Sequence, residues 1–444
     1  MTNQDWLWAS MGDLGRGIAT GEVDPVALAE TYLAAIDAHP LRDRVYARVT
    51  ADRALAEAEA AAERAKLGQR RGPLDGVPIS WKDLFDTAGV ATEAGSALLE
   101  GRVPDRDALV LRAATKAGLV CLGKTHMSEL AFSGLGYNPV TETPPSVNDP
   151  DAVAGGSSSG AAASVAQGMA PCGIGSDTGG SVRIPSVWND LVGLKTTSGR
   201  LSLEGVVPLC ARFDTVGPLC RTVEDAGLML AAMEGGTAPD LRGATLRGTR
   251  FLVLETIAME ELDGAPAAGF QSAVERMQAA GAIIERGAFE PIREAMGLAG
   301  LLFTGEAYGT WGEVIEAAPE KMYKGILERF RSGRDHGADA FVAAWQRLEA
   351  IRVDWAKAVA GYDAVILPTA PRLPANIARI EADFDYFVEE NLMALRNTRI
   401  GNLMGLAGLT LPTGVPSTGA MLLTPPMSEE RLLRLGAAAE VALA

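Results

Sequence analysis

Residues 155–160, Gly-Gly-Ser-Ser-Ser-Gly, and residues 175–185, Gly-Ser-Asp-Thr-Gly-Gly-Ser-Val-Arg-Ile-Pro, are two glycine- and serine-rich segments joined by a small apolar run. Ser157 and Ser181 each follow a pair of glycines and lie 24 positions apart (181 minus 157). Upstream, Lys82 ends the apolar stretch Val77-Pro78-Ile79-Ser80-Trp81. This combination predicts a serine nucleophile served by a lysine base.

The choice of a lysine base follows from how few histidines the chain has. A serine hydroxyl needs a neighbouring base to take its proton, and histidine is the usual one. Only His39, His126 and His336 are present; His39 and His336 lie in polar or terminal contexts typical of a surface, which leaves His126 as the one alternative. Lysine can act as the base when it is neutral, and burial among apolar side chains lowers its pKa.

The glycines of the second segment predict an anion-binding loop. Gly179 and Gly180 permit positive φ and close approach of the backbone. Successive N–H groups from Thr178 to Ser181 can then converge on one oxyanion. Pro185 suits the first turn of a helix that begins just after this loop.

Other catalytic motifs fit the chain less well. Residues 156–160 formally match G-x-S-x-G, but that elbow requires a preceding apolar strand, and residues 144–151 here are rich in Pro, Asn and Asp. The only histidine well downstream is His336. The sequence contains no G-x-x-x-x-G-K-[ST], no H-E-x-x-H and no S-x-x-K.

Taken together, these segments resemble the amidase signature family. Residues 74–83 resemble the strand that carries the family's catalytic lysine, residues 155–158 the segment of its bridging serine, and residues 175–183 its nucleophile loop. The likeness continues through Gly193-Leu194-Lys195, residues 217–225 and the late strand at residues 362–369, so it covers most of the chain.

The resemblance implies a role for each matching position. Ser181 is the nucleophile, Ser157 is the bridging serine in a cis peptide, and Lys82 is the base. It further implies an oxyanion hole of backbone N–H groups, supporting polar residues near the loop and two aromatic residues in the substrate pocket: Thr178, Gly179, Gly180 and Ser181; Ser158, Asp177 and Arg183; Phe132 and Tyr137. No metal and no organic cofactor are required for this chemistry.

The same resemblance implies an α/β fold with a large mixed β-sheet covered on both faces by α-helices. We expect one amidase domain over residues 1–444, with the signature core at about 70–225 and a variable region at about 294–345 that helps wall the substrate pocket. Sequence patterns themselves predict helices from Asp24 to Ala38 and over 51–66, 107–117 and 161–170. They predict strands at 77–81, 119–123, 251–254 and 364–367, and a long loop at 138–154.

Composition restricts the classes of partner. The 444 residues carry a formal net charge of -16, which argues against a nucleic-acid partner because phosphates attract basic surfaces. Cys121, Cys172, Cys210 and Cys220 are dispersed without metal-ligand spacing, which is typical of reduced core thiols. The first 19 residues lack the apolar stretch of a signal peptide, and no uninterrupted apolar run is long enough to cross a membrane. We therefore expect a cytoplasmic protein without a membrane partner, and a homodimer is one open possibility.

Three functions are compatible with these motifs. The first is an amidohydrolase that cleaves a linear amide, with a small-molecule substrate, through an acyl-enzyme on Ser181. The second is the glutamine-hydrolysing A subunit of a tRNA-dependent amidotransferase, which the segment Gly123-Lys124-Thr125-His126-Met127-Ser128-Glu129-Leu130 resembles. The third is a catalytically inactive binding protein on the same fold, which the presence of all three catalytic positions disfavours.

Overall fold

The computed structural model describes residues 3–444, and its centre is one eleven-stranded mixed sheet. The strands are β1 Tyr46–Val49, β2 Pro78–Lys82, β3 Val120–Thr125, β4 Cys172–Ser176, β5 Val192–Lys195, β6 Val216–Cys220, β7 Arg250–Leu254, β8 Ile283–Gly287, β9 Ala364–Pro368, β10 Ala407–Pro412 and β11 Gly419–Thr424. Their order across the sheet is β1-β3-β2-β4-β6-β5-β10-β11-β9-β7-β8.

Strand direction changes along the sheet. β2 pairs in parallel with both β3 and β4, and β7 pairs in parallel with both β8 and β9. The remaining neighbours pair antiparallel. The middle strands are buried along their whole length, as expected for a sheet covered by helices.

Helices from all parts of the chain surround the sheet. They are α1 Asn3–Trp6, α2 Met11–Thr20, α3 Pro25–Ala38, α4 Arg42–Val45, α5 Ala51–Lys66, α6 Leu109–Lys116, α7 Ser159–Ala166, α8 Arg183–Trp188, α9 Val223–Glu234, α10 Gly264–Ala279, α11 Pro291–Ala317, α12 Lys324–Arg331, α13 Ala338–Val359, α14 Ile377–Ala382, α15 Phe384–Ala394, α16 Arg396–Leu403 and α17 Glu429–Leu443. The α/β fold with a mixed sheet is therefore confirmed.

Most predicted elements occur where the sequence placed them. Asp24 caps α3 by accepting hydrogen bonds from the N–H groups of Val26 and Ala27 at 3.0 and 2.9 Å. Helix α5 spans the predicted residues, and each predicted strand lies within two residues of an observed one. The helix predicted over 161–170 begins earlier and ends at Ala166, because the chain turns through Gly168 with φ of +73°.

The small-residue helix α7 packs closely behind the strands of the site. Gly173 of β4 lies so near this helix that a Cβ there would be 2.6 Å from the carbonyl oxygen of Ala161. Ser164 of α7 also contacts Ser80 of β2, with 2.8 Å between the two Oγ atoms. This close packing fixes α7, and with it the segment that precedes the helix, against β2 and β4.

Candidate active site

Lys82 ends β2 at the edge of the sheet where the parallel strand β4 also ends. Its side chain is fully buried. Its Nζ donates to the Oγ of Ser157 at 2.7 Å and to the Oγ of Ser176, the last residue of β4, at 2.8 Å. Parallel neighbours finish at the same edge of a sheet, so the strand pairing itself brings the lysine and Ser176 together.

Burial favours the neutral form of Lys82. It lowers the pKa of Lys82 to about 7, while the charges of Asp214 and Asp177 oppose this shift. A substantial neutral fraction is therefore present near neutral pH, as the apolar neighbourhood in the sequence predicts. The alternative base His126 is also buried, and burial lowers its pKa to about 4. The backbone of Asp43 opposes this lowering of the pKa, and no hydrogen bond joins the His126 ring to Lys82 or Ser157.

The segment at Ser157 adopts the backbone geometry that the resemblance implies. The peptide bond between Gly156 and Ser157 is cis. Gly156 donates to the carbonyl of Gly134 at 2.8 Å, and Ser128 donates its N–H to the carbonyl of Ser157 at 3.1 Å. A Cβ on Gly156 would lie 2.4 Å from the backbone nitrogen of Gly136, so only glycine fits between these two segments.

Ser158 ties the two serine loops to each other and to β4. Its N–H donates to the carbonyl of Ser181 at 3.3 Å. Its Oγ lies 3.3 Å from both the backbone nitrogen and the carbonyl oxygen of Ser176. The structure therefore brings Lys82, Ser157 and the loop of Ser181 into one buried group.

The predicted nucleophile loop, residues 175–183, is folded around the carboxylate of Asp177. Arg183 binds this carboxylate in a bidentate pair, with Nε–Oδ2 at 3.0 Å and Nη2–Oδ1 at 2.9 Å, and both side chains are fully buried. The amide of Asn402 donates to Oδ1 at 2.9 Å. Burial alone would raise the pKa of Asp177, but the charge and hydrogen bonds of Arg183 hold it well below its usual range.

A hydrogen bond to the same carboxylate shows that the prediction for one donor of the oxyanion hole, Gly180, is wrong. The N–H of Gly180 donates to Oδ1 of Asp177 at 2.8 Å, so it points into the loop and not toward a substrate. Gly180 has a φ of +142°, and a Cβ there would clash with Thr398 at 2.1 Å. The N–H groups of Thr178, Gly179 and Ser181 have no acceptor within the described chain, which leaves three donors where four were expected.

Residues 27–433 match the amidase family. The chain belongs to this family. It is 34% identical to 2-amino-5-chloromuconic acid deaminase of Comamonas testosteroni, covering 88% of the chain and 87% of the relative. It is 32% identical to the A subunit of glutamyl-tRNA(Gln) amidotransferase from Anaeromyxobacter dehalogenans (strain 2CP-C), covering 96% and 95%. A solved amidase crystal structure superposes with a TM-score of 0.88 at 29% identity, covering 98% of this chain and 100% of that one.

As a member of the amidase family, the protein acts on carbon–nitrogen bonds. Two neighbouring cavities share Phe303, Arg329 and Arg399 as wall residues, and the smaller of the two is also lined by the predicted nucleophile loop. The smaller, about 20 Å³, is lined by Ala131, Phe132, Ser133, Thr178, Gly179, Ser181, Leu209, Phe303, Arg329, Leu395 and Arg399. The larger, about 340 Å³, is lined by Ala299, Gly300, Phe303, Thr304, Gly325, Glu328, Arg329, Ser332, Phe384, Phe387, Val388, Asn391, Leu392 and Arg399. The region predicted to wall the pocket, 294–345, supplies eight of these fourteen residues through α11, α12 and the residue after α12.

The two predicted pocket aromatics have different surroundings. Phe132 lines the smaller cavity together with Ser181. Tyr137 lines neither cavity; its ring packs edge-on against Tyr323 and Phe387 at 5.6 and 6.3 Å between centroids. Because Phe387 lines the larger cavity, Tyr137 contacts a wall residue of that cavity without lining the cavity itself.

Sequence reasoning missed several residues of this site. Ser176 could have been predicted as a site residue. It directly precedes Asp177 at the end of an apolar strand, where its hydroxyl can contact a residue at the end of the neighbouring strand. Thr398 and Asn402 of α16 could not have been predicted, because they lie 219 and 225 positions along the chain from the loop residues that they contact. Arg329 and Arg399 carry no local signal that separates them from surface arginines.

Three further observations concern metal sites, membrane-spanning helices and cysteines. Within residues 3–444, no group of His, Cys, Asp and Glu side chains has the arrangement of a metal site. None of the helices described above has both the length and the apolar character to cross a bilayer. Each of the four cysteines is buried and unpaired.

Proposed function

We propose that this member of the amidase family hydrolyses a linear amide through an acyl-enzyme on Ser181. The observation that carries the proposal is the contact of 2.7 Å between Nζ of the buried Lys82 and Oγ of Ser157, beside the loop of Ser181. Burial that lowers the pKa of Lys82 to about 7 supplies a neutral amine able to accept a proton.

The proposed reaction proceeds in two halves. Neutral Lys82 takes the proton of Ser157 as Ser157 takes that of Ser181, and the Oγ of Ser181 attacks the amide carbonyl carbon. The N–H groups of Thr178, Gly179 and Ser181 bind the resulting oxyanion. Collapse breaks the C–N bond, and the relay returns its proton to the departing amine, which leaves an ester on Ser181.

Water then completes the cycle. It gives a proton to the same relay and attacks the ester carbonyl, and a second tetrahedral intermediate forms in the same N–H site. Its collapse releases the carboxylic acid and restores the hydroxyl of Ser181. Protons balance over the cycle without a metal or an organic cofactor.

The test combines turnover with covalent labelling. The purified chain is assayed for ammonia and amine release from aliphatic, aryl and amino-acid amides, urea-like compounds and 2-amino-5-chloromuconic acid, for which one relative is named. Ser181→Ala should abolish fluorophosphonate labelling and lower kcat by roughly four to six orders of magnitude. Ser133→Ala is the matched control, because Ser133 lines the same small cavity but donates its hydroxyl to Asn391. Full labelling of Ser181→Ala would move the nucleophile elsewhere, with Ser158 the first suspect.

A second candidate is the glutamine-hydrolysing A subunit of an amidotransferase. It is favoured by the 32% identical relative of that name, which matches this chain over 96% of its length. Co-purification with a larger partner, and glutamine hydrolysis that depends on it, would support this candidate. Steady turnover of a simple amide by the isolated chain would oppose it, and absence of both turnover and labelling would favour an inactive binding protein.

A further inference from the structure

Two arginines without acidic partners face the cavities beside Ser181. Arg329 on α12 and Arg399 on α16 line both the smaller cavity, which contains Ser181, and the larger one. Both side chains are half-buried at the cavity wall. Among the described residues, no carboxylate lies within ion-pair distance of either guanidinium, although most other arginines of this chain form such pairs.

Arg329 has an unsatisfied donor in particular. Its guanidinium carbon lies 4.4 Å from the centroid of the Phe132 ring, which is within cation–π distance. The N–H groups around its edge stay free for hydrogen bonds, and Nη1 is buried with no acceptor in the described structure. A buried donor left without a partner is costly, which suggests that a ligand supplies the acceptor.

The two arginines also leave a local positive charge uncompensated. Burial and the charge of Arg399 lower the pKa of Arg329 to about 9, and burial lowers that of Arg399 to about 10, so both stay charged at neutral pH. Glu328 lines the larger cavity, but its Oε1 faces Nζ of Lys324 at 3.7 Å. The chain as a whole has a net charge of -16, yet these two neighbouring arginines form a local cationic site without a counter-charge. An anionic ligand would neutralise it.

The other residues that line the two cavities indicate the chemistry of the uncharged part of that ligand. Phe132, Phe303, Phe384 and Phe387 contribute aromatic walls to the two cavities. Asn391 lines the larger cavity, and its Oδ1 accepts from Ser133 and Gly134 at 3.2 and 2.8 Å, which leaves its NH2 group as a further donor. An apolar chain with one anionic end matches these surfaces.

We propose that the substrate is an amide that also carries a carboxylate, and that Arg329 and Arg399 bind this carboxylate while Ser181 attacks the amide carbonyl. The inference rests on the proposed function and adds the substrate class. The flat guanidinium edge matches a carboxylate in bidentate geometry, and two such groups in one pocket can clamp both of its oxygens.

The experiment compares pairs of substrates that differ only in charge. Half-amides of linear dicarboxylic acids from succinic to adipic are assayed beside the corresponding neutral diamides, and N-acetyl-β-alanine beside its amide. At the best chain length, the charged member should have a kcat/KM roughly 10- to 100-fold higher. Preference among half-amides places the carboxylate on the acyl part, and preference for N-acetyl-β-alanine places it on the leaving amine.

Variants then assign the preference to the two arginines. Arg329→Gln and Arg399→Gln should each raise KM for the charged substrate roughly 10-fold or more, and should change KM for the neutral diamide by a much smaller factor, because that substrate has no carboxylate whose binding can be lost. Arg331→Gln is the matched control, because Arg331 lies on the same helix but pairs with Glu316 at 2.7 Å. Arg329→Lys should give an intermediate increase in KM, because lysine keeps the positive charge but cannot bind a carboxylate in the bidentate geometry of a guanidinium.

Binding of dicarboxylates to a variant without catalytic turnover tests this inference separately from the proposed function. Calorimetry with Ser181→Ala should detect binding of the free dicarboxylates, weakened roughly 10-fold or more by either arginine substitution. Equal rates on half-amides and diamides would overturn the carboxylate assignment and leave the amidase proposal intact. Dicarboxylate binding that needs the arginines, without hydrolysis of any amide, would sink the amidase proposal alone.

Discussion

The sharpest test of the relay is its pH dependence, because burial lowers the pKa of Lys82 and of Lys195 by a similar amount and only Lys82 of these two contacts serines. Burial lowers the pKa of both Lys82 and Lys195 to about 7. Lys82 contacts the hydroxyls of Ser157 and Ser176, whereas Nζ of Lys195 donates to the carbonyls of Thr196 and Leu406 at 3.0 and 2.8 Å. Replacing each lysine in turn therefore separates proton transfer from burial.

The size of the effect follows from the neutral fraction of Lys82. A pKa of about 7 makes roughly a tenth of Lys82 neutral at about pH 6 and roughly nine tenths at about pH 8, so kcat/KM should rise about tenfold between them. A lysine with its ordinary pKa of about 10.4 would instead give a rate that keeps rising about tenfold per pH unit past about pH 9. The apparent pKa belongs to Lys82 and its serines together.

The assay is amine release from one good substrate between about pH 5.5 and 9.5, at constant ionic strength. We expect the acidic limb in wild type and in Lys195→Met, and a low, flat profile in Lys82→Ala. Circular dichroism checks that each variant is folded. A limb near pH ~7 that survives in Lys82→Ala, or one that disappears in Lys195→Met, would refute the assignment of the base; in the first case His126 becomes the next residue to replace.

Three further outcomes are expected. The double variant Lys82→Ala/Ser157→Ala should be little slower than its slower single variant, and additive losses in the logarithm of kcat would argue against a shared proton path. Ser176→Ala should lower kcat roughly 10- to 100-fold with KM nearly unchanged, and an unchanged kcat would remove Ser176 from the site. Asp177→Asn leaves the buried Arg183 without its ion partner and should destabilise the fold by about 3–5 kcal/mol in urea unfolding, whereas a shift below ~1 kcal/mol would contradict that interpretation.

The features that could be predicted from the sequence either depend on residues close together in the chain or follow from the family resemblance. The cap of α3 and the bounds of α5 depend on neighbouring residues alone, and short-range patterns reveal them. Lys82 could be predicted as buried because it ends an apolar strand. The grouping of Lys82, Ser157 and Ser181 came from three separated motifs that resemble those of one family.

What the sequence could not predict depends on contacts between distant segments. The carboxylate of Asp177 takes the N–H of Gly180 because Arg183 and Asn402 hold it inside the loop, and Asn402 is 225 positions away. Glycine at position 180 is required by close contact with Thr398, not by an oxyanion. The roles of Arg329 and Arg399 could not be predicted for the same reason, because the cavities that they share form only when α12 and α16 come together in the fold.

The lone pair of Lys82 explains why its amine contacts Ser176 as well as Ser157. A neutral amine has two N–H donors and one lone pair, and its Nζ contacts two hydroxyls. If the lone pair is to take the proton of Ser157, the contact with Ser176 must be one in which Nζ donates. Ser176 can accept that hydrogen bond whether Lys82 is neutral or charged, so it holds the amine in a single orientation through the cycle. Its removal should therefore slow proton transfer without changing which residue attacks the substrate.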